Sequence, residues 1–377
     1  MEFNPKESLK KGELATKVAM DKLLPFEKFI SSMEQAPFSG GSKFKNGDTL
    51  LARITPCLEN GKTAFVDGLK EGEVAFGSTE FIVLRSRKVV SDPQFIYYLA
   101  ISSFFRNIAI KSMVGSSGRQ RVQIGALKDI DIKVPSLEEQ RRIASRLALL
   151  DSKIALNSRI NDNLLKQIQA LYKSWFVDYL PFGNVKPTSW VETDIYALAN
   201  IIYGAPFKSK LFNTDGVGLP IIRIRDLKEQ QFVTYTTEVH PKGYLLQTGD
   251  IVIGMDGEFR PYIWGNEEGW LNQRVCVFEN KRPNGKAFLY FTIKPLLHAI
   301  EKVQIATTVI HVGKKDFDAL KITLPDEATL DNFDALTAPM MKIIASNSFE
   351  NKKLAALRDS FLPKLMSGEV RNSEMLV

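Results

Sequence analysis

The sequence predicts an α+β chain built as a tandem duplication, in which two mixed α/β domains each lead into a long helix. Three observations carry this. A nine-residue pattern returns 190 positions downstream, each copy divides into a zone of short β-type runs and a helical zone, and the helical zones carry a coiled-coil seam.

The repeat is plainest at Leu127-Lys-Asp-Ile-Asp-Ile-Lys-Val-Pro135 and Phe317-Asp-Ala-Leu-Lys-Ile-Thr-Leu-Pro325. Apolar residues fall at the same places and both runs end in proline. The offset of 190 persists downstream, where Ile154, Asn157, Asn161 and Leu164 align with Ile344, Asn347, Asn351 and Leu354. Upstream it drifts. Ser78–Leu84 parallels Asn272–Phe278 at 194, and Gly47-Asp48 parallels Gly249-Asp250 at 202. Insertions therefore lie in the globular zones and none in the helical ones. Two long copies make this a duplication and not a short-period solenoid.

The β-type runs, such as Glu80–Leu84 and Asp250–Ile253, are punctuated by Gly and Pro. They place one domain at 1–135 and the other at 181–325. The helical zones follow at 136–180 and at 326–377, the latter including the tail. In the first, Ile143, Leu147, Leu150, Ile154, Asn157, Asn161, Leu164, Ile168 and Leu171 recur at 4-3 spacing. The second offers a poorer seam: Phe333, Thr337, Met340, Ile344, Asn347, Asn351, Leu354, Arg358 and Phe361. Pro339 is expected to kink or split that helix. Fully helical, 136–180 spans about 65–70 Å, which suits a spacer better than a domain core. Pro181, Gly183 and Pro187 end it.

Asn157, Asn161, Asn347 and Asn351 occupy successive seam positions in both copies. A seam asparagine costs stability but fixes register by pairing with another polar group. If the helices run antiparallel, their midpoints meet and the four can hydrogen-bond about a pseudo-twofold axis. The alternative is four exposed helix residues; the duplication of both positions favours the register role.

The chain has 377 residues, too many for one ordinary core, and 44% apolar with 25% charged residues describes a globular protein. A formal charge of +7 suits a partner bearing phosphates. Two distant cysteines, Cys57 and Cys276, form neither a disulfide framework nor a zinc spacing. The polar start is no signal peptide, no apolar run reaches membrane-span length, and a cytoplasmic location is expected.

Enzyme motifs fail one by one. Asn60-Gly-Lys-Thr63 ends like a phosphate-binding loop, but Pro56 stands where the leading Gly belongs. Asp92-Pro-Gln-Phe95 lacks the second proline of an amino-methyltransferase motif. The three histidines, His240, His298 and His311, have no metal-ligand spacing. No metal site, nucleophile–base pair or nuclease carboxylate cluster is expected.

Several stretches resemble type I restriction–modification specificity subunits. They are Gly204–Phe212, Pro220–Leu227, Gly249–Gly257, Leu271–Val275, Pro135–Gln140, Lys173–Tyr179 and Asn4–Gly12. Their order along nearly the whole chain, with the duplication, carries the likeness. The resemblance implies two target-recognition domains separated by a long antiparallel helical coiled coil. Each domain reads one half of a bipartite double-stranded DNA target. Modification subunits supply the adenine methyltransferase and its S-adenosylmethionine; a restriction subunit supplies the nuclease and the ATP- and Mg-dependent motor. The chain itself is then non-catalytic and holds no cofactor. One departure stands out. Twenty residues precede Asp21, against 36 from Trp190 to Asp226, so some opening structure of the first domain is expected to be missing.

Arg, Lys, Asn and Gln read base edges, and basic residues meet phosphates. In the first domain the candidates are Arg53, Lys62, Arg85, Ser117, Arg119 and Arg121, the last three on the Gly115-Ser-Ser-Gly-Arg-Gln-Arg121 loop. In the second they are Lys208, Lys210, Arg223, Arg225, Arg260, Tyr262, Arg274, Lys314 and Lys315. Arg223 and Arg225 alternate with Ile222 and Ile224, which on a strand puts both on one face. Trp264 and Trp270 read as core. The expected mechanism is that helix length sets the gap between half-sites and the outer helix faces dock the methyltransferase subunits. Two rivals are a coiled-coil scaffold that binds protein only and a self-sufficient DNA methyltransferase.

Overall fold

A computed structural model of the chain describes residues 1–304 and 311–367. It divides into two compact units, one of Met1–Ala155 with Leu354–Val377 and one of Leu156–Lys353. The tail beyond Ser367 lies outside the described residues. Each unit combines one domain with a stretch of both long helices.

In the first unit, strands β1 (Glu2–Phe3), β2 (Leu14–Val18), β3 (Glu34–Pro37), β4 (Ser42–Phe44), β5 (Thr49–Ala52), β6 (Thr63–Phe65), β7 (Ala75–Gly77) and β8 (Phe81–Arg85) make two sheets. Their orders are β1-β8-β5-β6 and β3-β2-β7-β4. Helices α1 (Pro93–Ile101), α2 (Ser103–Lys111) and α3 (Ile124–Lys128) follow. β5 is buried along its whole length, so it reads Thr-Leu-Leu-Ala without alternation. The Asp92-Pro-Gln-Phe95 run is the start of α1. Pro93 fills a first-turn position and the Asp92 side chain accepts from Phe95 N–H at 3.0 Å.

The second unit repeats the plan. Its strands are β9 (Val191–Asp194), β10 (Ala199–Tyr203), β11 (Phe212–Asn213), β12 (Leu219–Ile222), β13 (Tyr235–Thr236), β14 (Leu245–Leu246), β15 (Ile251–Gly254), β16 (Pro261–Ile263), β17 (Gly269–Leu271), β18 (Val275–Asn280) and β19 (Lys321–Leu324). The orders β10-β18-β15-β16 and β11-β13-β12-β17-β14 match the first unit strand for strand, with β11 added at one edge. In both copies one parallel pair, β2–β7 and β12–β17, joins otherwise antiparallel neighbours. β19 pairs with β9, which belongs to the opening run of the second domain. Asp131–Val134, the counterpart of β19 in the first copy, forms no strand.

The long helices are α4 (Leu137–Phe176) and α8 (Glu327–Ser367). The short second-domain helices are α5 (Ile224–Leu227), α6 (Lys286–Gln304) and α7 (Lys314–Asp318). Forty residues give α4 a length of about 60 Å. Its start is fixed by Gln140, whose buried amide bonds the carbonyls of Val90 and Pro135 and accepts from Asp92 N–H. Of the kink or split expected at Pro339, the split is absent, since α8 runs through it. The proline ring is exposed, and buried Phe333, Thr337, Met341 and Ile344 pin the turns on either side. One missing N–H donor is tolerated in a helix held this firmly by packing.

In the first unit, Ile143, Ala144 and Leu147 of α4 meet Leu362 and Leu365 of α8 and the aromatic face Phe65, Phe95, Tyr97 and Tyr98 of the domain. Burying each large side chain contributes about 1.5–3 kcal/mol. In the second unit the Lys173-Ser-Trp-Phe-Val-Asp-Tyr179 motif does the equivalent work. Phe176 lies 4.8 Å from Phe288 and 4.9 Å from Phe333, and Trp175 lies 5.8 Å from Phe333. Cores and helices are thus one packing unit in each half.

Candidate nucleic-acid interface

The helix seam brings the four asparagines together. Asn157 donates to Asn351 Oδ1 at 2.9 Å, and Asn347 donates to Asn161 Oδ1 at 3.0 Å. Asn161 also donates to the Ile344 carbonyl and to Ser348 Oγ, both at 3.1 Å. Asn157 reaches Glu350 at 2.6 Å. Rising numbers on one helix meet falling numbers on the other, so the pairing is antiparallel. The two Asn–Asn bonds are exchanged by the 190-residue offset, as a pseudo-twofold relation requires. Asn157 is only 1% exposed, so its amide has no water to fall back on.

Several sequence-predicted DNA contacts are tied up inside the first domain. Arg85 is engaged within the domain. Its guanidinium makes two 2.6 Å bonds to buried Asp48 and a third to Glu7. Arg53 faces the Val122 carbonyl and lies 4.0 Å from Glu80, and Lys62 donates to the Met20 carbonyl at 3.1 Å. Ser117, Arg119 and Arg121 stand exposed on a hairpin closed by reciprocal Val114–Arg121 backbone bonds of 3.0 and 2.9 Å. Its glycines Gly115 and Gly118 take positive φ, which this tight turn demands. Arg121 grips Glu80 through Nε at 3.0 Å and Nη2 at 2.7 Å, and that hydrogen bond holds the Glu80 carboxyl below the usual range.

The second domain sorts likewise. Arg223 and Arg225 do not share a strand face. β12 stops at Ile222, and Arg223 caps α5, its N–H donating to Asp226 at 2.9 Å. The aspartate three residues on turns an alternating run into a capped helical turn. Arg223 also donates to Thr234 Oγ1 at 2.5 Å, whereas Arg225 is exposed. The Arg260 guanidinium closes on Glu301, a largely buried carboxylate. Tyr262 packs against the Val252–Trp264 core, with burial pushing its phenol up. Trp264 is fully buried and Trp270 packs on Phe207. Lys208, Lys210 and Lys315 are exposed, and Lys314 pairs with Asp318 at 2.8 Å.

Arg274, on the segment leading into β18, lies 3.6 Å from Asp256. His311 Nδ1 lies 2.6 Å from the same carboxylate. Asp256 and His311 escaped sequence reasoning. Carrying the 190 offset six residues upstream of Leu127 and Phe317 aligns Arg121 with His311 and would have found one of them. Among the described residues no group of His, Cys, Asp and Glu could hold a metal ion, and no helix is long and apolar enough to cross a membrane.

The two units share one sheet plan, and each is packed on its own stretch of both long helices, which defines a tandem-duplicated chain. Comparison with known proteins names the class. The model of the type I restriction modification DNA specificity domain matches twice, at residues 27–166 and 187–354, and the chain belongs to that family. It is 25% identical to the HindI specificity subunit of a type I restriction enzyme from Haemophilus influenzae, over 90% of each chain. It is 36% identical to the EcoBI specificity subunit from Escherichia coli over 36% of this chain and 29% of that one. The type I restriction–modification S subunit from M. genitalium shares the fold, with a TM-score of 0.54 at 16% identity over 97% of this chain and 93% of that one.

Proposed function

We propose that this chain is the non-catalytic specificity subunit of a type I restriction–modification complex and reads a bipartite duplex target, one domain per half-site. The observation that carries it is the doubled specificity domain, with strand order conserved between copies while the exposed charged side chains differ. Conserved topology gives both domains the same docking geometry; differing edges give them different bases to read. Domain limits at 135, 180 and 325 belong to the same proposal. So do cytoplasmic location, modification subunits on the outer helix faces carrying S-adenosylmethionine, and a restriction subunit carrying ATP and Mg. The exposed DNA contacts are then Ser117, Arg119, Arg121, Lys208, Lys210, Arg225, Arg274, Lys314 and Lys315.

The test is duplex binding by the full chain with its modification subunits across a salt series. Several phosphate contacts predict a log–log slope of about −0.9 per contact, hence a loss of roughly a hundred-fold or more between 50 and 200 mM salt. Binding without salt dependence, or none, supports the protein-only scaffold instead. S-adenosylmethionine binding by the isolated chain would point to the self-sufficient methyltransferase.

A further inference from the structure

The duplication makes one more correspondence physical. In the first domain the backbone just beyond β5 is held from two sides. Arg53 N–H donates to the Glu80 carbonyl at 2.9 Å, and the Arg53 carbonyl accepts from Val122 N–H at 2.9 Å. In the second, Met255 makes the same two bonds, to the Arg274 carbonyl and from Val312 N–H, again at 2.9 Å each. Isolated bridges pair Ile54 with Arg121 and Asp256 with His311. Three positions meet at each crossing: Ile54, Glu80 and Arg121 in one domain, Asp256, Arg274 and His311 in the other. They correspond at offsets of 202, 194 and 190, the ones the sequence repeat itself carries.

The scaffold is shared, but the charges have moved. In the first domain the carboxylate stands before β8, as Glu80, and takes the Nε–Nη2 edge of Arg121. In the second it stands after β15, as Asp256, with His311 at 2.6 Å and Arg274 at 3.6 Å. The guanidinium side chains remain open to solvent, 47% for Arg121 and 58% for Arg274.

We propose that this crossing is the base-reading point of each domain. The proposal rests on the DNA-reading function above. Base readout needs a fork held at a set angle, since bidentate arginine recognises guanine O6 and N7 by geometry. In the first domain the Glu80 carboxylate, bonded to Nε and Nη2, fixes the Arg121 rotamer before DNA arrives and reduces the entropy lost on binding, whereas in the second Asp256 bonds His311 and draws Arg274 as an ion pair at 3.6 Å. Glu80 takes the Nε–Nη2 edge of Arg121 and leaves Nη1 and the second Nη2 hydrogen to face a base. Exposed lysines elsewhere supply charge without such aim. Because the acid stands beside β8 in one copy and beside β15 in the other, the two arginines aim differently, and the half-sites differ.

The experiment is selection from a randomised duplex library by the full chain assembled with its modification subunits. The wild type is compared with Arg121→Ala, Arg121→Lys and Arg274→Ala. Arg121→Ala is expected to lose about ten-fold or more of the preference at one position of one half-site, with the other half-site unchanged. Arg274→Ala should do the same on the other half-site. Arg121→Lys keeps the charge but not the fork, and should lose the same preference with a smaller fall in affinity. Unchanged preferences in all variants, or a uniform loss of affinity across all sequences, would overturn the proposal while leaving the function intact. A wild-type complex that selects no sequence would remove the function itself.

Discussion

Asp151→Ala is expected to cost about 3–5 kcal/mol in urea unfolding, the largest effect of any single substitution in the helix pair. Asp151 Oδ1 accepts from Arg358 Nη1 at 2.7 Å, and its Oδ2 accepts from Tyr98 Oη at 2.6 Å. The two charged side chains are 3% and 5% exposed. Removing the carboxylate leaves a guanidinium in the seam with only Asp359, at the surface, as a partner. The chain also contains the apolar solution to the same problem. At the 190-residue offset, Asp151 becomes Met341 and Arg358 becomes Ile168, both buried in the second unit. The variant Asp151→Met, Arg358→Ile, Tyr98→Phe, with Lys28→Met added to remove the buried cation that Asp151 and Tyr98 also serve, should therefore be as stable as the wild type or more so, because apolar isosteres avoid the desolvation cost of the buried charges. A single variant within about 1 kcal/mol of wild type would contradict this account. An ion pair in one half and its apolar twin in the other also tells the two halves of the seam apart, which discourages helices from pairing out of register.

Lys28 supplies the second large effect, and it depends on pH. Its ammonium is buried, with Gln94 Oε1 at 2.7 Å, Tyr98 Oη at 3.2 Å and the rings of Phe29, Phe65, Tyr97 and Tyr98 at 4.9–5.7 Å. Burial pulls it down to about 8 from 10.5, against the opposing pull of Asp151, Asp67 and Asp92. Below pH 8 both folded and unfolded lysines are protonated, and the burial penalty is fully present. Between 8 and 10.5 the folded lysine loses its proton while the unfolded one keeps it, so stability rises with pH. The wild type should gain about 2–3 kcal/mol relative to Lys28→Met between pH 7 and 10. The comparison stops at pH 10, because burial also raises the Tyr98 phenol and adds an opposing term above that. Parallel stability curves for the two proteins over this range would show that the cation is not desolvated as described.

The features legible in the sequence were those with a period. Duplication, the 4-3 seam and the asparagine positions all repeat, and repetition makes a contact visible without knowing its partner. What stayed hidden was pairing between distant, unlike residues. Arg358 reads as a flaw in a seam until Asp151, 207 positions away, is found beside it. Arg85 and Arg260 look like free cations because nothing local announces Asp48, Glu7 or Glu301. Ile222–Arg225 alternates like a strand, and only the bond from Asp226 back to Arg223 makes it a cap. Pro339 fails to break its helix because packing outweighs one absent donor. The base-reading crossing lay within reach, since the same offsets that found the repeat align its three positions.

The most direct measurement maps methylated sites in DNA from cells carrying the wild-type complex. It compares them with a variant holding seven extra residues in each long helix, after Ala155 and after Lys353. One heptad preserves the seam and adds about 10 Å of helix, or about three base pairs of duplex. Two domains that each read their own half-site should keep both half-sites and widen the interval between them. An unchanged interval, or a target without two separable halves, would contradict the account.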